Sequence, residues 1–99
     1  MSIQEQERVE AAAANPPREG LVQQIFVSAG FASVQIKKID GDLDLIGLWN
    51  DQDPLDKFDR LERSMFLSIC REAMIHGKRV RINLRLAGPH MAHSMALLA

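Results

Sequence analysis

A single long helix signal, set among extended segments, limits the folds that this chain can adopt. Asp53-Pro54 predicts the start of the helix, with Asp53 as the N-cap residue and Pro54 in the first helical position. Gly77 predicts its end, where a left-handed residue is common. The predicted helix, 54–76, is about 34 Å long at roughly 1.5 Å per residue. A chain of 99 residues holds one core, so we expect this helix to pack on strands of the same domain.

The apolar residues of this helix form two stripes. The first has the 3–4 spacing of a core-facing stripe and contains Leu55, Phe58, Leu61, Met65, Ile69 and Ala73. The second lies beside it and contains Leu67, Cys70 and Met74. A helix with one solvent-exposed face needs only one stripe, so we expect two bodies to cover this helix. One is the chain's own sheet, and the other is the N-terminal segment or another copy of the chain. The second stripe is therefore the candidate oligomer interface.

Extended segments rich in Val, Ile and Phe, or with alternating polarity, surround the helix. They predict strands at 21–29, 31–39, 42–49, 78–86 and 90–99. Asp40-Gly41 predicts a two-residue hairpin turn, in which both turn residues take positive φ. Gly88-Pro89 predicts the turn before the last strand.

The order of these elements is strand, strand, strand, helix, strand, strand. This is the order of the OB-fold, a five-stranded Greek-key barrel, here with its long helix between strands 3 and 4. The predicted class is α+β or mainly β, and a two-layer α+β sandwich accommodates the same elements. Residues 1–99 are expected to form one domain, with the barrel at 20–99. Residues 1–18 are a short N-terminal helix or a flexible arm, interrupted by Asn15-Pro16-Pro17.

Composition restricts the classes of partner. The formal net charge of −1 counts against a dedicated nucleic-acid binder, which usually carries excess positive charge. Four Phe, one Trp and no Tyr leave few rings for stacking on bases or sugars. No segment approaches the ~20 apolar residues of a membrane span, and the N-terminus is polar and acidic. The sequence as written therefore predicts a small soluble, cytoplasmic domain. A secreted domain whose export signal had been removed would look the same.

Candidate catalytic and metal-binding residues do not form a recognisable site. Cys70 is the only cysteine, which excludes an internal disulfide and a cysteine-based zinc site. His90 and His93 are three residues apart on a predicted strand and point to opposite faces. Asp40, Asp42 and Asp44 have the opening spacing of a calcium loop, but its sixth and twelfth positions hold Leu45 and Asp51 instead of Gly and Glu. We therefore predict a non-enzymatic protein with no cofactor and no metal site.

A row of basic residues is the most distinctive polar feature. It contains Lys78, Arg79, Arg81 and Arg85. Side chains two residues apart on a strand point the same way, so the three arginines are expected on one face, with Lys37 and Lys38 as candidate neighbours. One interpretation is a site for phosphate, an anionic sugar or single-stranded nucleic acid. The other is a solvated sheet face whose charges pair with helix carboxylates or with the Asp residues between 40 and 59.

The C-terminal half resembles the B subunits of cholera-toxin-like and heat-labile-enterotoxin-like bacterial toxins. The similar stretch is LERSMFLSICREAMIHGKRVRINL followed by GPHMAHSMALLA. That family has a long helix, then a strand, a short turn and a final strand. Ala73 followed by Gly77-Lys78-Arg79-Val80, and later Pro89-His90, is similar to this pattern. The resemblance covers about half of the chain. Two departures are the single cysteine, which precludes the family's disulfide, and the lack of an export signal.

The resemblance implies an OB-fold subunit that forms pentameric rings around its long helix and binds cell-surface glycans. It identifies no glycan-contacting residue in this chain. The first functional hypothesis is therefore an oligomeric OB-fold binding module that takes a glycan. The alternatives are an intracellular OB-fold that binds single-stranded nucleic acid through the basic row, and a structural or assembly protein with no small ligand.

Overall fold

Five antiparallel strands and one helix form the part of the chain that the computed structural model describes, residues 16–56, 58–87 and 90–99. The strands are β1 (Arg18–Val27), β2 (Phe31–Lys37), β3 (Leu43–Asn50), β4 (Arg79–Leu84) and β5 (Ala92–Leu97), and the helix, α1 (Arg60–His76), connects β3 to β4. This confirms the predicted order of strands and helix. The N-terminal helix expected within residues 1–18 falls mostly on residues 1–15, which lie outside the described residues.

The predicted closed barrel is wrong. The strands form one open sheet in the order β3-β2-β1-β4-β5, so β3 and β5 are its two edges. Within the described residues these edges meet at one isolated parallel bridge, between Gly47 and Met91. There the Gly47 amide donates to the carbonyl oxygen of His90 at 2.7 Å. The order of elements along a chain does not determine whether the two edge strands pair, and a single bridge is not a ladder.

The core lies between one face of this sheet and α1. Alternation along the strands directs Val34 and Ile36 of β2 and Val80 and Ile82 of β4 inward, and all four are fully buried. Residues 46–49 of β3 are buried in succession, so this end of β3 is covered on both sides. Contacts from α1 to β1, β4 and β5 close the second layer.

Helix α1 begins six residues later than the sequence predicts. Its N-cap is Asp59, whose Oδ1 accepts from the Glu62 amide at 2.8 Å, while Glu62 Oε1 accepts from the Asp59 amide at 3.3 Å. This reciprocal pair is a capping box. Asp53 is bonded elsewhere: its side chain accepts from the Leu55 amide and from Arg85. The predicted end is confirmed, because Gly77 takes a φ of 62° and donates its amide to the Ala73 carbonyl.

The predicted core stripe of the helix is only partly correct, since Ala73 is buried and Ile69 is partly buried against the core. Leu61 and Met65 are 69% and 55% exposed, whereas Phe66, Cys70 and Ala73 face the sheet and are buried. The buried stripe therefore keeps Ala73 of the predicted stripe, takes Cys70 from the second stripe and adds Phe66. Two adjacent apolar stripes are equivalent by periodicity, and packing on the sheet decides which residues of each are buried.

The turn between β2 and β3 differs from the predicted hairpin. Gly41 has a φ of 92°, but Asp40 does not take positive φ. The Gly41 amide donates to the Lys38 carbonyl and the Lys38 amide to the Asp42 carbonyl. The turn therefore needs one left-handed residue, and glycine supplies it.

Candidate functional site

The exposed part of the basic row is shorter than predicted. Lys78 and Arg79 are exposed at the start of β4, whereas the Arg81 Nε donates to Glu19 Oε1 of β1 at 2.6 Å. Leu21 of β1 pairs with Arg79 on one side and with Lys37 of β2 on the other. Lys37 and Arg79 are thus two strands apart, about 10 Å. Of the expected row, Lys78 and Arg79 are exposed near Lys37, and Arg81 is also exposed but paired with Glu19.

Arg85 lies apart from this row, in the interior. Its residue is 7% exposed, and its guanidinium pairs with Asp53 Oδ2 at 2.5 Å. The β4–β5 register shifts between Asn83 and Leu84, just before Arg85, so alternation no longer sets the direction of its side chain. The hydrogen bond from Arg85, followed by that from the Leu55 amide, lowers the pKa of Asp53. This pair holds the β3–α1 loop against the end of β4.

A second charged group organises the start of α1. The Arg63 guanidinium lies 2.7 Å from Asp51 Oδ1 and 3.8 Å from Asp56 Oδ1. It also lies 5.3 Å from the centre of the Trp49 ring, within cation–π range. Its Nε donates to the Phe58 carbonyl at 3.2 Å. Arg63 therefore joins the helix to the end of β3 and to the loop between them, which is a structural role.

The candidate oligomer interface Leu67, Cys70 and Met74 is not one exposed ridge. Cys70 is fully buried in the core, where its thiol contacts Met95 Sδ at 3.5 Å. Burial raises the pKa of the Cys70 thiol to about 12, so it stays protonated at neutral pH. Leu67 is partly buried and Met74 is 39% exposed. Leu67 and Met74 are therefore the part of the predicted interface that another chain can reach.

Within 16–56, 58–87 and 90–99, no three His, Cys, Asp or Glu side chains converge on a common point for a metal ion. No helix in the same ranges is long and apolar enough to cross a membrane.

A further feature is the surface of β1, β2 and β3 that points away from α1, which we call the outer face. Cross-strand pairing places its side chains in rows: Leu43, Lys37 and Leu21, then Leu45, Gln35 and Gln24, then Gly47, Ser33 and Phe26. Four of these side chains are large, apolar and exposed. Their exposed fractions are 38% for Leu21, 50% for Phe26, 59% for Leu43 and 60% for Leu45.

A shallow cavity of about 190 Å³ lies in the middle of the outer face. Its lining combines an aromatic ring, two amides, a hydroxyl and an aliphatic side chain, from Phe26, Gln24, Gln35, Ser33 and Leu45. Charged side chains are absent from this lining. Apolar groups with a few neutral polar groups also line small-molecule pockets, which at roughly 300–1,000 Å³ are larger than this cavity.

Sequence patterns do not identify the outer face. Leu43 and Leu45 alternate with Asp42 and Asp44, a sign of a half-buried strand whose leucines face the core. In the structure Ile46 and Leu48 face the core instead, and the two leucines are exposed. The only available signal was that both faces of β3 are apolar, which one core cannot explain.

Comparison of the chain with protein-family models, with curated proteins and with solved structures finds no match. The resemblance to toxin B subunits therefore stays a prediction.

Proposed function

We propose that this chain is a non-enzymatic assembly domain whose copies bind one another through the outer face. The observation that carries the proposal is the set of four exposed apolar side chains, Leu21, Phe26, Leu43 and Leu45. Together they expose roughly 400 Å² of apolar area, within the range of roughly 300–600 Å² that is often functional. A stable interface buries about 800 Å² per partner, so neighbouring side chains must contribute the rest of the contact area.

The charges around the outer face suit a symmetric contact. Lys37 lies between Leu43 and Leu21, and the exposed residues Asp40 and Asp42 follow in the adjacent turn. A twofold interface brings the same surface together from both copies, so it must be complementary to itself. A surface that carries both signs of charge at its rim meets this condition.

Solution mass tests the proposal. We expect wild-type protein, measured by light scattering coupled to size exclusion, to give a discrete multiple of 11.1 kDa. Leu45→Glu places a charge in the centre of the outer face and is expected to give a folded monomer. Leu61→Glu is the matched control, because Leu61 is similarly exposed but lies on α1.

The alternatives give different masses. If Leu45→Glu keeps the oligomer while the double variant Leu67→Glu, Met74→Glu dissociates it, the interface is the helix ridge and the outer-face proposal is wrong. A functional dimer is expected to have a Kd of roughly 10 µM or lower, which corresponds to about −7 kcal/mol. Wild-type protein that is still monomeric at about 100 µM, tenfold above that Kd, would also contradict the outer-face proposal.

A second candidate function is binding of a hydroxyl-rich ligand such as a glycan, favoured by the lining of the outer-face cavity. Each amide of Gln24 and Gln35 both donates and accepts hydrogen bonds, as sugar hydroxyls require. The exposed Phe26 ring provides an apolar surface for the face of a sugar ring. A monomeric protein that binds on a glycan array, and loses binding in Gln35→Ala and Phe26→Ala, would select this function over assembly.

A further inference from the structure

The second half of β1 has an edge without a strand partner. β2 pairs with β1 from Leu21 to Val27, but β4 pairs only from Arg18 to Leu21. From Val22 to Val27, the edge of β1 opposite β2 carries no strand among the described residues. This open edge is about 20 Å long at roughly 3.3 Å per residue.

The sequence of this edge lacks the usual protection. Val22–Val27 reads VQQIFV, with no charge, no proline and no glycine. Exposed edges are commonly blocked by charged residues, by proline or by a bulge, because their free amides and carbonyls accept another strand. A bulge is present between Val22 and Gln24, but the residues after it form a regular β-ladder with β2. This stretch is therefore suited to strand addition.

A groove runs between this edge and α1. Its volume is about 340 Å³, and Ile25, Val27 and Leu67 form its apolar lining. Ser64, Ser68 and Arg71 of α1 form its polar rim. A strand added to β1 would direct every second side chain into this groove.

The charge of the groove indicates what occupies it. Arg71 is exposed, and no carboxylate among the described residues pairs with it. The open stretch of β1 in a second copy is VQQIFV, which has no acidic residue, and Glu19 at the start of β1 already pairs with Arg81. A carboxylate is therefore expected from a different chain.

We propose that the groove between β1 and α1 binds an extended segment of a partner protein by strand addition, with an apolar residue against Leu67 and an acidic residue at Arg71. Leu67 and Arg71 are four residues apart on the helix, about 6 Å at roughly 1.5 Å per residue. Two residues of a strand span about 6.7 Å. The recognised pattern is thus an apolar residue and an acidic residue two positions apart.

Two labelled peptides test this specificity. The first is a seven-residue peptide of alternating Thr and Val in which one Val position is occupied by Glu, so that Glu lies two positions from a Val. The second has Lys in place of this Glu. By fluorescence anisotropy we expect the Glu peptide to bind about three- to tenfold more tightly than the Lys peptide. The Glu peptide forms an exposed charge pair with Arg71, whereas the Lys peptide is repelled by it. Arg71→Glu should reverse this preference. Arg79→Glu, an exposed charge change outside the groove, should leave it unchanged.

Amide hydrogen exchange locates the bound peptide. We expect amides within Val22–Val27 to exchange more slowly when the Glu peptide is added. Failure of both peptides to bind at millimolar concentration, or equal binding to wild type and Arg71→Glu, overturns the proposal. If these amides already exchange slowly without peptide, and more slowly as the protein concentration rises, the open edge of β1 pairs with a second copy. That result also overturns the proposal. The Leu45→Glu variant should bind the peptide normally, so this test is independent of assembly through the outer face.

Discussion

Replacing Gly20 with alanine is expected to destabilise the sheet, because β1 and β2 approach too closely there for a side chain. A Cβ atom on Gly20 would lie 2.5 Å from the carbonyl oxygen of Lys37 and 2.9 Å from its carbonyl carbon. Since Cβ atoms essentially never come within 3.0 Å of another heavy atom, the strands must separate by at least about 0.5 Å. Gly20 also pairs with Val80 of β4, so β1 cannot move away from β2 without compressing that contact.

The cost of Gly20→Ala follows from two opposing contributions. Overpacking of a well-packed site costs roughly 1–3 kcal/mol. Alanine restricts the unfolded chain and returns about 0.4–1 kcal/mol. We therefore expect a net loss of about 1–2 kcal/mol in the free energy of unfolding, or a decrease in Tm of about 4–16 °C for a domain of this size.

Gly30→Ala is the matched control. A Cβ on Gly30 would lie 3.6 Å from the Asp51 side chain, an ordinary contact, and Gly30 does not take positive φ. This variant should be as stable as wild type or slightly more stable. Thermal and urea unfolding followed by circular dichroism compare the two. If Gly20→Ala is as stable as wild type, the close approach of Gly20 to the Lys37 carbonyl is wrong.

Three further predictions test the core, the helix start and the loop. Cys70 should react with a thiol reagent at least about a thousandfold more slowly than a free thiol, because reaction needs unfolding; rapid labelling in native buffer would contradict its burial. Asp59→Ala should cost about 1 kcal/mol through loss of the N-cap bond, measured by urea unfolding, and an unchanged midpoint would mean that Asp59 does not cap α1. Folding lowers the pKa of Asp53. The pair of Asp53 with Arg85 therefore stabilises the protein at pH values above the ordinary aspartate pKa of about 3.9. This stabilisation is lost as the pH falls below that value. Asp53→Asn should therefore lose less stability than wild type on acidification below about pH 4, and parallel curves would refute this linkage.

Local signals determined which elements form. The five strands and the helix were predictable in their order, because alternation and helical periodicity depend on residues a few positions apart. The end of α1 was predictable for the same reason, since Gly77 needs only its own left-handed conformation to close the helix. The start of α1 was ambiguous locally. Both Asp53-Pro54 and the Asp59/Glu62 capping box are helix-start signals, and Arg85, 32 residues away, bonds Asp53 and leaves Asp59 as the cap.

Tertiary structure decided which surfaces are buried. Periodicity showed two adjacent apolar stripes on α1 and two apolar faces on β3, but only packing selected Cys70 and Ile46 for the core and left Met65 and Leu45 exposed. The outer face and the groove along β1 follow from that selection, so no pattern in the sequence could locate them. Whether the sheet closes depends on the placement of β3 relative to β5, far apart in the chain, and among the described residues these strands' ends meet at one bridge, at Gly47. Sequence patterns report interactions between near neighbours, whereas these outcomes depend on contacts between distant segments.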